Sequence, residues 1–169
     1  MFIGGFGHQP NVDAVKWLAA EIMPRLERLL PGVVVHILGS NPPEEVKKVA
    51  SRTLRIEGFV TDEELENYYR TSRLVIVPLR YGAGIKGKVV EAMRYGMPVV
   101  TTSIGAEGIA GAETILAIAD DPEEFARAVA SLYNNAKSLK QRSVASYQYV
   151  RENFSPANAR KAIGPEFDM

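Results

Sequence analysis

LVIVPLRYGAGIKGKVVEAMRYGMPVVTT, from Leu74 to Thr102, decides the fold. It opens on an uninterrupted apolar run, Leu74 to Leu79, as a strand does when both faces of a parallel sheet are covered. Gly82-Ala83-Gly84 then permits a close backbone turn and leaves amide N–H groups unpaired where a helix is expected, from Ile85 to Tyr95. Val89, Val90, Ala92 and Met93 give that helix a buried side, Gly96 stops it before Pro98, and Met97 to Thr101 reads as a second buried strand. The turn is a candidate anion site, since Lys86 and Lys88 stand in the first helical turn. Cations there oppose the helix dipole by about 0.3–1 kcal/mol each, so they ask for a compensating anion such as a phosphate. The same turn also serves plain packing in parallel α/β domains, and either lysine reads equally as a solvated surface side chain.

The rest of the chain alternates in the same way. Met1-Phe2-Ile3 reads as the end of a buried strand running into Gly4-Gly5-Phe6-Gly7, where a dinucleotide fingerprint fails because Pro10 stands at its third glycine position. His8 is either a phosphate or domain contact or a surface residue. A helix is expected from Asn11 to Leu30, with Asn11 as its cap, Asp13 in its first turn and Pro24 kinking or dividing it. Val33 to Leu38 reads as a central strand, Pro42 to about Ser51 as a short helix, and Leu54 to Ile56 as a short strand ended by Gly58. Thr61 and Glu64 form a capping box opening a helix from Asp62 to Tyr69. Thr114 to Ala119 is expected as an edge strand, Asp121-Pro122 opens a helix to about Asn134, and Lys137 to Asn153 and Ser155-Pro156 begin two more. Five glycine-containing loops follow strands: Gly4–Asn11, Gly39–Asn41, Gly58–Val60, Gly82–Ile85 and Gly105–Gly108. In a parallel sheet they gather at one edge and form the ligand crevice.

With 20 basic and 20 acidic residues the chain carries no net charge, so nothing in bulk draws it to nucleic acid or to a membrane surface. It has no cysteine, which excludes disulfides, thiol nucleophiles and thiolate metal sites. No apolar run approaches the ~20 residues of a spanning helix, and no secretory leader is read before the first strand. The abrupt opening on a core strand is taken to mean that an N-terminal half is absent.

The pattern P-L-x-x-G-x-G-I-K-x-K-V-x-E-A-M-x-x-G-x-P-V-V-x-T, with Gly4-Gly5 and the phrase G-F-V-T-D-E-E-L at Gly58 to Leu65, resembles the C-terminal domain of group 1 (family 4-like) glycosyltransferases of the GT-B fold. The resemblance covers Phe2 to about Ser155. It implies an α/β, Rossmann-like three-layer sandwich, with a parallel sheet of about six strands, helices on both faces and C-terminal helices, as one domain over residues 1–169. It further implies a donor-binding domain of a retaining, metal-independent enzyme that moves a sugar from a nucleoside diphosphate sugar to an acceptor, in cell-surface polysaccharide biosynthesis and in the cytoplasm. Glu91 would hold the ribose hydroxyls, Gly82, Ala83, Gly84, Ile85, Lys86 and Lys88 the sugar and phosphates, and Gly4, Gly5, Gly7 and His8 the diphosphate. Phe59 and Val60 would line the base, or simply belong to the core, and Glu107 would meet sugar or acceptor, or stand solvated in its loop.

The catalytic base and the acceptor site would lie in an N-terminal domain of the same protein, which would also carry any peripheral contact with a membrane, so this chain alone would bind without turning over. No resident cofactor, metal or nucleic acid is implied.

Two departures stand out. The family pairs two glutamates with seven residues between them, and the partner position of Glu91 is Ala83. The Arg and Lys that clamp the diphosphate after the first strand are replaced by GGFGHQPN, Gly4 to Asn11. A non-catalytic nucleotide-binding or interaction module and half of a nucleotide-sugar 2-epimerase therefore stand as alternatives.

Overall fold

The computed structural model describes residues 1–154. Strand β1 (Phe2–Ile3) leads to α1 (Gln9–Trp17), a π-helical turn (Leu18–Ile22) and α2 (Met23–Leu29). There follow β2 (Val35–Leu38), α3 (Glu44–Lys47), β3 (Leu54–Gly58), α4 (Asp62–Thr71), β4 (Val75–Val77), α5 (Gly87–Arg94) and β5 (Val99–Thr101). The described chain closes with α6 (Ala112–Ile115), β6 (Ala117–Ile118), α7 (Pro122–Asn134) and α8 (Ala136–Asn153). The helix expected from Ser155-Pro156 lies outside the described residues.

All strand pairs are parallel, as expected, but the six strands fall into two three-stranded ladders, β1-β2-β3 and β4-β5-β6, in place of one ladder of six. The ladders meet at Met1, whose nitrogen donates to the Leu74 carbonyl at 3.0 Å and whose carbonyl accepts from the Ile76 amide at 2.9 Å. Those two bonds flank Val75 as a parallel pair requires, and they give the strand succession 3-2-1-4-5-6. β1 spans only two residues, so the joint stays one pair wide. Residues Val75–Val77 and Val99–Thr101 are all buried, as strands covered on both faces must be. On them pack α1, α2 and α7 as one group and α5 with α8 as another.

Three local readings are corrected. Asn11 is not a cap: α1 begins two residues earlier with His8 at its N-cap, because Pro10 suits the first helical turn. Asp13 consequently lies past the first turn. Thr114 and Ile115 belong to α6, entered through Gly111 in the left-handed conformation (φ 66°), so the last strand shrinks to Ala117–Ile118. Pro24 does divide the first long helix: the turn before it is π-helical, with the Met23 amide donating to the Leu18 carbonyl. Trp17 is buried, and its ring meets Phe125 edge-on at 6.1 Å. The capping box of α4 is present in both directions, Thr61 accepting from the Glu64 amide at 3.3 Å and Glu64 from the Thr61 amide at 2.7 Å.

Candidate functional site

β1 and β4 are neighbours whose chains cross over to opposite sides, so the loops after them part and leave a crevice. A cavity of about 310 Å³ occupies it, lined by His8, Pro10 and Asn11 on one side and by Leu79, Tyr81 to Ala83 and Ile85 to Lys88 on the other. Gly82 (φ 123°) and Gly84 (φ 75°) hold conformations that a side chain resists. That turn aims the start of α5 into the cavity. No side chain caps α5, and no acid stands in its first turn, so its leading N–H groups, at the Gly87 and Lys88 that line the cavity, have no side-chain acceptor.

The two lysines have different surroundings. The Lys86 ammonium, 9% exposed, donates to Glu107 Oε2 at 2.9 Å and to the Gly84 carbonyl. Its charge is thus answered within the protein. The Lys88 ammonium donates to the neutral Asn11 Oδ1 and lies 4.9 Å from the centre of the Phe2 ring. Burial without a counter-charge lowers its pKa to about 8. Of the two lysines that ask for a compensating anion, one is answered within the chain and the other is not.

Asn11 is the residue that sequence reasoning missed. It is 5% exposed, and its Nδ2 donates to the Gly5 carbonyl at 2.7 Å while its Oδ1 takes Lys88, so one amide ties the β1 turn to α5. The signal was in the period: Asn11 falls on the face of Ala14, Val15 and Leu18, where a polar residue needs a buried partner. Gly4 packs beneath it, since a Cβ there would stand 2.6 Å from Lys88 Nζ and 2.8 Å from Asn11 Cγ. Gly5 and Gly7 are exposed, and a Cβ on Gly7 would meet nothing within 4 Å. Arg80, which no sequence signal marked, donates from Nε to Asp13 Oδ2 at 2.9 Å and lies over Trp17 at 5.7 Å.

Other expected site residues stand further off. Glu91 borders a second, open depression of about 510 Å³ with Val90, Arg94 and Val150, which shares Ile85 and Gly87 with the first cavity. Its carboxylate takes no hydrogen bond or ion pair among the described residues. Phe59 and Val60 follow β3 at the same sheet edge and do not line the cavity. The Phe59 ring is 75% exposed and so is not core, while Val60 packs partly against it. A larger cavity, about 420 Å³, lies at the other edge of the sheet among Met1, Val33 to His36, Asn67, Tyr68 and Thr71 to Leu74, where no helix of the sheet begins.

A model of the glycosyl transferases group 1 family matches residues 1–135. An uncharacterized 44.6 kDa protein in the cps region of Klebsiella pneumoniae is 28% identical over 98% of this chain and 45% of its own length. The chain spans less than half the length of the curated relatives it matches. Among solved structures, the C-terminal domain of a group 1 family glycosyl transferase (LpcC) from Francisella tularensis superposes with a TM-score of 0.71 at 17% identity, over 92% of this chain and 85% of that one. Anabaena Alr3699/HepE, in complex with UDP and glucose, gives 0.73 at 16% identity, over 96% and 47%. With the family model matching most of the chain and the same fold recurring in these neighbours, the chain belongs to the group 1 glycosyl transferases.

Proposed function

We propose that this chain is the donor-binding domain of a retaining, metal-independent transferase, which takes a sugar from a nucleoside diphosphate sugar and passes it to an acceptor held by an N-terminal domain of the same protein. The observation that carries the reading is Lys88: a cation without a counter-charge, at the uncapped start of α5, lining a cavity at the point where the strand order reverses. A diphosphate answers that charge, takes the free N–H groups, and as leaving group gathers negative charge where both already point. Lys88 and the α5 terminus would supply that stabilisation without a metal ion. Glu91, whose carboxylate is unpartnered, would take the ribose hydroxyls, and Gly82 to Ile85 would lie along the sugar and phosphates. His8, Gly5 and Gly7 would face the diphosphate across the crevice, with Gly4 setting its floor, and Phe59 and Val60 would stand toward the base.

The HepE neighbour, in complex with UDP and glucose, supports the donor class, and the Klebsiella relative supports a role in polysaccharide biosynthesis. No helix among the described residues is long and apolar enough to cross a membrane, and the reading places the enzyme on the cytoplasmic side, where sugar nucleotides are made. Alone the chain would bind and not turn over, because the acceptor and base would not be positioned.

Calorimetric titration with UDP, GDP and ADP tests this. The expected result is saturable binding of one nucleotide, weakened about tenfold or more in Glu91→Ala with an unchanged melting temperature. Equal affinity in that variant would remove Glu91 from the site, and no binding of any nucleotide would remove the reading.

A further inference from the structure

We infer that the Tyr69 hydroxyl positions Glu91, donating a hydrogen bond to its carboxylate when that carboxylate takes the ribose of a nucleotide; this rests on the reading that assigns Glu91 to the ribose hydroxyls. The starting point is a polar atom with nothing to bond. Tyr69, on α4, is 4% exposed, and its hydroxyl is buried without a hydrogen-bond partner among the described residues. A phenylalanine would fill the same space and avoid the cost of an unsatisfied buried hydroxyl, so the oxygen calls for an acceptor.

Three observations lead from it to Glu91. The Tyr69 ring stacks on Tyr95, with centroids 4.1 Å and planes 11° apart, and the Tyr95 amide donates to the Glu91 carbonyl at 3.1 Å, so Tyr95 and Glu91 are neighbours on successive turns of α5. The charge of Glu91 is felt at the phenol, where it adds to burial in raising the Tyr69 pKa. Lastly, the Glu91 carboxylate is itself without a hydrogen bond or ion pair among the described residues. An orphan donor and an orphan acceptor thus lie where α4 meets α5.

The packing decides which of the two moves. Stacking and burial hold the Tyr69 ring, whereas Glu91 is partly exposed and turns about its side-chain bonds beside the open depression that it lines. Both helices follow strands and so start at the crevice edge of the sheet, and helical side chains lean toward the helix start. The phenol, near the end of α4, therefore leans toward the crevice end, where Glu91 stands one turn ahead of Tyr95. A carboxylate with one oxygen held by this donor presents the other to the ribose hydroxyls in a fixed direction. Tyr69 touches no ligand; it acts through Glu91, by reducing the freedom the carboxylate loses when the nucleotide binds.

The test titrates the whole chain with UDP, GDP and ADP, and with the 2′,3′-dideoxy form of the one that binds, beside Tyr69→Phe, Glu91→Ala and the double variant. Tyr69→Phe should leave the melting temperature unchanged or higher, weaken the ribonucleotide about fivefold or more, and leave the dideoxy form within about twofold. In the Glu91→Ala background it should change neither. A loss shared equally by the two forms, or effects that multiply in the double variant, would show that Tyr69 acts through packing and overturn the inference; an unchanged ribonucleotide affinity overturns it too. If Glu91→Ala itself binds the ribonucleotide as well as the unaltered chain does, the ribose reading of Glu91 fails and the inference falls with it. Should no nucleotide bind the unaltered chain, the donor-site reading fails first and takes both with it.

Discussion

Lys88 carries the sharpest consequences at the scale of single residues. Its pKa is lowered by burial from 10.5 to about 8, so between those values the unfolded chain binds the proton more tightly and stability rises with pH across that window. Below pH about 8 the protein carries the full burden of a buried charge. A bound diphosphate favours the charged lysine, so nucleotide affinity should be flat below pH about 8 and fall by up to tenfold per pH unit above it. Dissociation constants measured from the neutral to the alkaline side would expose the break, and a flat profile would show that Lys88 does not meet the anion. Lys88→Met should behave as a trade: about 1–3 kcal/mol more stable in urea, yet at least tenfold weaker for the diphosphate. Gly4→Ala should do harm of the opposite kind, about 1–3 kcal/mol of lost stability, because its methyl meets Lys88 and Asn11 inside contact distance. At this scale the sequence was legible where a residue's job is local, as with Gly82 and Gly84, whose positive φ angles of 123° and 75° the glycine turn led one to expect. Asn11 was misread because the bond that decides its role reaches 77 positions along the chain to Lys88.

Elements were legible wherever a cap or a breaker writes its own rule. Thr61 with Glu64, Asp121 with Pro122, and Gly96 before Pro98 end or begin helices through bonds a few residues long, and α4, α7 and α5 stand where those residues put them. Thr61→Ala should accordingly cost about 0.5–2 kcal/mol, measured as a shift of the urea midpoint at unchanged slope; no shift would mean that packing alone holds the start of α4. Strand ends were less legible. Leu74 and Leu79 are buried and apolar, yet β4 is only Val75–Val77, because strand length depends on a partner and the ladder with β5 reaches no further. Thr114 to Ala119 failed for a related reason: Ile115 and Leu116 are buried without alternation, and a left-handed Gly111 turns the chain into α6 first.

The whole molecule depends on a joint that no local pattern announces. Met1 hydrogen-bonds to both sides of Val75, and this single pair turns two ladders into one succession with its reversal between β1 and β4. The crevice, and with it the meeting of the Gly4–Asn11 loop and the Gly82–Lys88 turn, follows from that adjacency. That strands alternate with helices told in advance which edge would carry the loops, but not which loops would be neighbours, since strand order is set by non-local pairing. Because α7 packs on both α2 and β5, the halves share one core, and a single unfolding transition with equal calorimetric and van't Hoff enthalpies is expected. Two resolved transitions would mean that the ladders fold separately.

The most direct test follows backbone amide shifts in the NMR spectrum as UDP, GDP or ADP is added. The donor-site reading predicts that one nucleotide moves the amides of Gly82 to Lys88 and of Gly4 to Asn11, while those around the larger cavity at the far edge, Val33 to His36 and Thr71 to Leu74, stay in place. Shifts confined to that far cavity, with the start of α5 unmoved, would contradict it.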